Sequence, residues 1–283
     1  MLLDEYKKSL KMPEAEEMFD LFFFRPIAYV LVKGLYRTPI SPNHVTALSL
    51  LAGVVAAYFF SRPFSSTFVW GALLYALANI LDCADGQLAR LQQSGTLFGR
   101  VWDGVADYIS STAIFLALGV TLANGIWYLV LLAGVSSAVH SMVFDRYQSE
   151  FIARKIGEEN FLRKELDRFT EEIRRMQEQK KGHLKILLLN LYILYLRIQN
   201  HFPGKERPGD IRPGLRRSAH NLMIRLWSFL GPTTNRTVLI VCALLDRLEL
   251  YLWAVLSVGN LWLVVCYLLQ RRVYRVRETE TPA

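Results

Sequence analysis

Between Asp82 and Asp107, four aspartates lie inside or directly beside apolar stretches long enough to cross a bilayer: Asp82, Asp85, Asp103 and Asp107. A charged side chain near the bilayer centre costs about 3 kcal/mol even on permissive insertion scales, so four together call for cations, water or a function. The surrounding chain leaves little choice of fold. Apolar residues make up 52% of its 283 positions, and several runs approach the ~20 residues a helix needs to span hydrocarbon. These features predict an all-α integral membrane protein.

Residues 1–37 begin with mixed acids and bases, unlike the basic, then apolar, then small-residue order of a cleaved signal peptide, so this segment is expected to remain on the mature protein. Its second half carries Arg25, Pro26 and Lys33 within an aromatic and aliphatic run. That pattern predicts an interfacial helix with its basic residues toward the headgroups, a partly buried helix being the plainer alternative. Residues 38–145 hold four predicted spans, near 44–61, 67–91, 97–122 and 127–143. Residues 146–232 form a polar helical insertion, with opposite charges at helical spacing such as Glu159 with Arg163 and Glu171 with Arg175. Within it, the apolar run after Leu184 is short for a span and reads as an interfacial or core-packed helix, and the Pro- and Gly-rich loop 201–214 closes the insertion. Residues 233–283 supply two more spans and a basic tail. The fifth span is the shortest of the six: about fourteen residues make roughly 21 Å of helix.

In this six-span arrangement the outer loops carry only Arg62 and Arg247, so the positive-inside rule puts all four aspartates and both termini on the cytoplasmic side. The net charge of +8 is spread over segments flanking the apolar runs, which suits an anionic membrane surface or phosphate-bearing substrates and not base reading; no nucleic-acid partner is expected. Cys83, Cys242 and Cys266 lack metal-ligand spacing and are expected as free thiols.

Residues three or four apart share a helix face, so Asp82 with Asp85, and Asp103 with Asp107, can converge across a tight turn. Hard carboxylate oxygens suit Mg2+, Mn2+ or Ca2+ better than zinc, and a pair of such ions can clamp a diphosphate during displacement at phosphorus. Gly86, Ala89 and Gly99 allow close approach of helices or a ligand.

The order Asp82-x2-Asp85-Gly86-x2-Ala89-Arg90-x8-Gly99-x3-Asp103-x3-Asp107 resembles the complete signature of the CDP-alcohol phosphotransferases, with no departure at its eight defining positions. The similarity extends to Pro42, Asn43 and Thr46 and to the six-span layout. The resemblance implies transfer of a substituted phosphoryl group from a CDP-linked donor, such as CDP-diacylglycerol, to an alcohol acceptor with release of CMP. It also implies two divalent cations, Mg2+ or Mn2+, contact with membrane lipids, and a homodimer. By position, Asp82, Asp85 and Asp103 become metal ligands, and Asp107 a ligand and general base. Gly86, Ala89 and Gly99 fall on the nucleotide side, Arg90 at the phosphates, and Thr46 is a further nucleotide contact. Arg146 and Arg236, at the rim of the fourth and fifth spans, are candidate acceptor-binding residues for a polyol phosphate. Membrane prenyltransferases also bind diphosphates with aspartates and Mg2+, but a second distant aspartate-rich set is missing. A cation transporter would need its carboxylates nearer the midplane. His140 and the tyrosines Tyr192 and Tyr195 read as packing or interfacial residues.

Overall fold

The computed structural model describes residues 2–122, 126–157, 161–178, 182–199 and 213–275, and within these it is all helical, with no strand. Helix α1 (Leu2–Ser9) leads through a non-helical stretch into a π-helical turn (Asp20–Phe24) continuous with α2 (Arg25–Leu35). Then come α3 (Pro42–Phe60), α4 (Ser65–Gln92), α5 (Leu97–Thr121) and α6 (Trp127–Lys155). The polar region holds α7 (Phe161–Glu178), α8 (His183–Gln199) and α9 (Pro213–Trp227). Helix α10 (Pro232–Leu244) precedes α11 (Leu248–Trp253), which passes through a π-helical stretch into α12 (Asn260–Arg275).

Among the described residues, five helices are long and apolar enough to cross a membrane: Pro42–Phe60, Ser65–Gln92, Leu97–Thr121, Trp127–Lys155 and Leu248–Arg272. The expected fifth span corresponds to α10, whose 13 residues fall short of that length. Helix α10 packs one face against its neighbours: Leu239, Cys242 and Ala243 join one apolar core with Ala56, Phe60, Ala72 and Tyr75 of α3 and α4, Ile114 of α5 and Tyr251 of α11, while Val241 and Leu244 stay exposed. Small residues let these backbones approach; a Cβ on Gly53 would run into Ser110 of α5. Helix α6 runs a full three turns past the expected end near residue 143.

The π-helical turn and α2 bury Phe24, Ala28 and Val32 against Val45, Cys83, Ala84 and Leu88, while Phe22, Phe23 and Val30 on their other face are exposed. Arg25 departs from the expected headgroup orientation. It turns inward and pairs with Glu16 at 2.7 Å, both side chains largely buried. Residues 5–25 form a strap across the end of the bundle. Arg90 Nε donates to Ser9 O at 2.5 Å, Gln87 Nε2 to Ser9 Oγ and Arg25 O, and Thr233 N and Thr234 N at the start of α10 donate to the Glu17 carboxylate. Lys155 of α6 pairs with Glu14 at 2.7 Å, and Arg225 of α9 donates to Pro13 O and Glu16 O.

In the polar region, α7 and α8 pack on the start of α5 through Phe169, Ile173, Leu189, Ile193 and Leu196 around Val101, reinforced by an Arg100–Glu165 ion pair. Arg175 pairs with Glu171 as the spacing predicts; the Glu159–Arg163 pair and most of loop 201–214 lie outside the described residues. The opposite face of α8 exposes Leu184, Leu187, Leu191, Leu194 and Ile198, a stripe at helical spacing. His140 meets Asn260 Oδ1 at 3.0 Å, tying α6 to α12 as a packed histidine. The three cysteines are free and buried.

Candidate active site

Helices α4 and α5 form an antiparallel hairpin whose turn is set by Gln93 in the left-handed region (φ 51°) and by Thr96, the N-cap of α5, whose Oγ1 accepts from Gly99 N at 2.9 Å. Asp82 and Asp107 lie at matching distances along the chain from this turn, as nearly do Asp85 and Asp103. The hairpin therefore sets the two pairs face to face. Ligand oxygens of Asp82, Asp85 and Asp103 lie within 4.8 Å of one another.

Each carboxylate has a different surrounding. Thr46 Oγ1, from the first turns of α3, donates to Asp85 Oδ2 at 2.5 Å. Asp103 Oδ1 is buried without a hydrogen-bond partner, an expensive condition for a carboxylate unless a cation meets it. Arg236 of α10 reaches in from across the bundle: Nη2 lies 2.5 Å from Asp107 Oδ1, and Nη1 lies 3.1 Å from Asp82 Oδ2 and 2.9 Å from Asn79 Oδ1. This donor set, three converging carboxylates with an orphaned buried oxygen, fits a hard divalent cation.

The aspartates line a cavity of about 1650 Å³. Thr46, Gly86, Ala89, Arg90 and Gly99 line it too, so the structure brings together every motif residue singled out in the sequence. A Cβ on Gly99 would press on Thr96 Oγ1 at 3.0 Å and Asn43 Oδ1 at 3.2 Å, which explains the glycine where α5 crosses the start of α3. The two rim arginines separate. Arg236 lines the cavity but is engaged by Asp82 and Asp107, whereas Arg146 lies outside the lining and pairs with Glu150 at 2.5 Å.

Several lining residues were not read as site residues from the sequence. Lys11, Glu16 and Arg25 come from the strap, Asp145 and Gln148 from α6, and Tyr192, Tyr195 and Gln199 from α8. The tyrosine spacing on α8 was visible, but its partners were not. Outside the spanning helices, burial pushes the Glu165 carboxyl up, opposed by Arg100. Burial likewise pushes the Lys11 ammonium down, opposed by Asp145 and Glu16.

A family model described as CDP-alcohol phosphatidyltransferase matches residues 39–200. Similar proteins include a bifunctional IPC transferase and DIPP synthase of Thermococcus kodakarensis, 32% identical over 137 residues that cover 47% of this chain and 30% of that protein. A phosphatidylinositol phosphate synthase of Mycobacteroides abscessus is 30% identical over 130 residues, 46% of this chain and 55% of that protein. The corresponding synthase of Mycobacterium tuberculosis is 35% identical over 95 residues, 34% and 43% of the two chains. The matches thus span from under a third to just over half of these relatives. With the family model covering more than half of its residues and every motif side chain gathered on one cavity, this chain belongs to the CDP-alcohol phosphatidyltransferase family.

Proposed function

We infer that this protein transfers a phosphatidyl-type group from a CDP-linked lipid donor, such as CDP-diacylglycerol, to an alcohol, releasing CMP. The observation that carries the reading is the convergence of four motif carboxylates on one cavity with an unpartnered oxygen on Asp103. Asp82, Asp85 and Asp103 would hold divalent metal, Mg2+ or Mn2+, with Asp107 as the fourth ligand of a two-ion site. Bound there, the metal would neutralise diphosphate charge during displacement at phosphorus. Gly86, Ala89 and Gly99 leave room for the nucleotide, and Arg90 and Thr46 flank it on the α3–α4 side. Asp107 takes the proton of the acceptor hydroxyl as its oxygen bonds to the lipid-linked phosphorus; the bond to the CMP oxygen breaks and CMP leaves with the electron pair. Arg236, at 2.5 Å from Oδ1, orients the Asp107 carboxylate for that role.

In the membrane, α10 would complete a sixth, short crossing inside the bundle. The exposed faces of α2 and α8 suit the interfacial layer, and the basic segments favour a cytoplasmic opening for the cavity. The organisation into residues 1–37, 38–145, 146–232 and 233–283 follows that layout, and the family resemblance adds a homodimer.

The test is an acceptor screen with purified protein, CDP-diacylglycerol and Mg2+ or Mn2+, reading CMP release and the mass of the lipid product. Transfer requiring metal is expected, and Asp107→Asn should nearly abolish it while donor binding stays measurable. Normal turnover by Asp107→Asn removes the base assignment. Absence of CMP release with every alcohol, alongside turnover of a prenyl diphosphate, removes the reading itself.

A further inference from the structure

The cavity has two unlike walls on either side of the aspartates. The α3–α4 wall carries Thr46, Gly86, Ala89 and Arg90. The opposite wall, from α6 and α8, is largely apolar but carries one polar cluster of carboxylate, amide and hydroxyl groups: Ser141, Asp145, Gln148, Tyr195 and Gln199. Among the described residues the cationic side chains lining the cavity are Lys11, Arg25, Arg90, Arg100 and Arg236, and none of them stands on α6 or α8. We propose that the α6–α8 wall is the acceptor subsite, that it takes a hydroxyl-rich polyol, and that Asp145 receives the polyol's hydroxyls.

The inference rests on the transferase reading and adds to it where the acceptor lies. Asp145 is half-buried and held from α8: Tyr195 OH donates to its Oδ2 at 3.1 Å and Gln199 Nε2 at 2.8 Å. Gln199 Nε2 also lies 2.8 Å from the Tyr195 oxygen and 3.3 Å from Met142 O, and the glutamine is 2% exposed, so the ring of contacts is fixed. A carboxylate offers about four lone-pair directions; the two donors on Oδ2 leave acceptor capacity on the cavity side. Vicinal hydroxyls can donate to it, with the Ser141 hydroxyl as a further partner.

This wall also lies beside the proposed base. Tyr108 follows Asp107 in α5, lines the cavity, and its ring meets Tyr195 edge-on with centroids 6.2 Å apart. A polyol resting on Asp145 therefore has Asp107 within the same compartment, while the nucleotide occupies the far wall. The rigidity comes from α7 and α8 docking on α5, with Leu196 and Ile193 buried in that contact. Arg146, the other neighbour on α6, is turned to Glu150, and a cation reaches this wall from the strap instead, with Lys11 Nζ 3.5 Å from Gln148 Oε1.

The experiment measures steady-state transfer from CDP-diacylglycerol with inositol, glycerol and their monophosphates, against serine and ethanolamine, for wild type, Asp145→Asn, Tyr195→Phe and Gln199→Leu. The expected result is turnover with a polyol or its monophosphate. Acceptor KM should rise about tenfold or more in Asp145→Asn, the effect of losing a charge-assisted hydrogen bond, and several-fold in Tyr195→Phe, with donor KM unchanged in both. Thermal shift on adding CDP-diacylglycerol shows that each variant is folded and binds donor; if Asp145→Asn is not, the two α8 variants decide. Turnover with amino-alcohols alone, or acceptor KM unmoved in the folded variants, overturns the inference while leaving the transferase reading intact. Failure of CMP release in wild type with all acceptors strikes the transferase reading instead.

Discussion

The α4–α5 hairpin and the N-terminal strap both bury charge at the same end of the bundle, yet they treat it in opposite ways. In the strap each acid named here meets a protein partner: Glu16 has Arg25, Glu17 has the start of α10, Asp20 accepts from Cys83 Sγ at 3.3 Å, and Glu14 has Lys155. In the hairpin the acids face one another around a cavity, and Asp103 keeps a buried oxygen without a donor. Charge paired by protein braces the fold, whereas charge left facing like charge requires something from outside. That contrast predicts which substitutions damage chemistry and which damage the scaffold.

The largest effect is expected at Asp103. Asp103→Asn removes a proposed metal ligand, and transfer should fall by about a thousandfold or more, since a metal supplies several kcal/mol to such a transition state. The variant should melt no lower than wild type without metal, because an amide relieves the repulsion among the carboxylates. Melting with and without Mg2+, together with CMP release, checks both halves. A large loss of metal-free stability would mean that Asp103 is a brace like the strap acids.

Arg236 stands on the boundary between the two regions, being both a protein partner and a lining residue. Arg236→Gln leaves Asp82 and Asp107 without their cation, and removing one partner of a buried pair costs about 3–5 kcal/mol. The metal-free protein should therefore melt lower, and Mg2+ or Mn2+ should recover more of the difference than it adds to wild type. Glu16→Ala gives the matching strap experiment: it leaves Arg25 uncompensated, with a loss of about 3 kcal/mol. Metal should not recover that loss. Equal rescue of both variants would erase the distinction between brace and site.

The same contrast explains what could be read in advance. The helical class, the five long apolar helices and the hairpin were legible because hydropathy over twenty residues and spacing within one motif are local properties. Arg236 was visible only as a rim cation; its approach to Asp82 joins positions 154 apart, which no local period encodes. Arg25 was expected to face headgroups because an isolated arginine in an apolar run does so, but Glu16, just before the helical run that carries Arg25, is buried with it as its partner. Tyr195 fitted an aromatic belt by composition, but its hydroxyl is used by Asp145 on another helix. Helix α10 is too short by length alone, and its inner face is buried by neighbours the sequence does not specify locally.

A further prediction, read as a slope against pH, probes how firmly the strap is fixed. Glu17 accepts from Thr233 N at 3.1 Å, and from Thr234 N at 2.8 Å and Thr234 Oγ1 at 3.0 Å, all at the first turn of α10. Burial pushes its carboxyl up from 4.5 to about 8, with the charge of Asp20 adding to the rise and the threonine donors opposing it. A carboxyl whose folded pKa is raised favours the folded state most fully below its unfolded value, and that contribution is lost as pH rises through the folded value. Stability should therefore decline between about pH 4.5 and 8, by at most about 1.4 kcal/mol per pH unit from this group. Glu17→Gln keeps an acceptor for the threonines and removes the titration, so its melting curve should be flatter over that window. A slope unchanged in Glu17→Gln would shift the pH dependence to another group. The hairpin offers the opposing control, since saturating metal should leave the Glu17 slope in place while raising the whole curve.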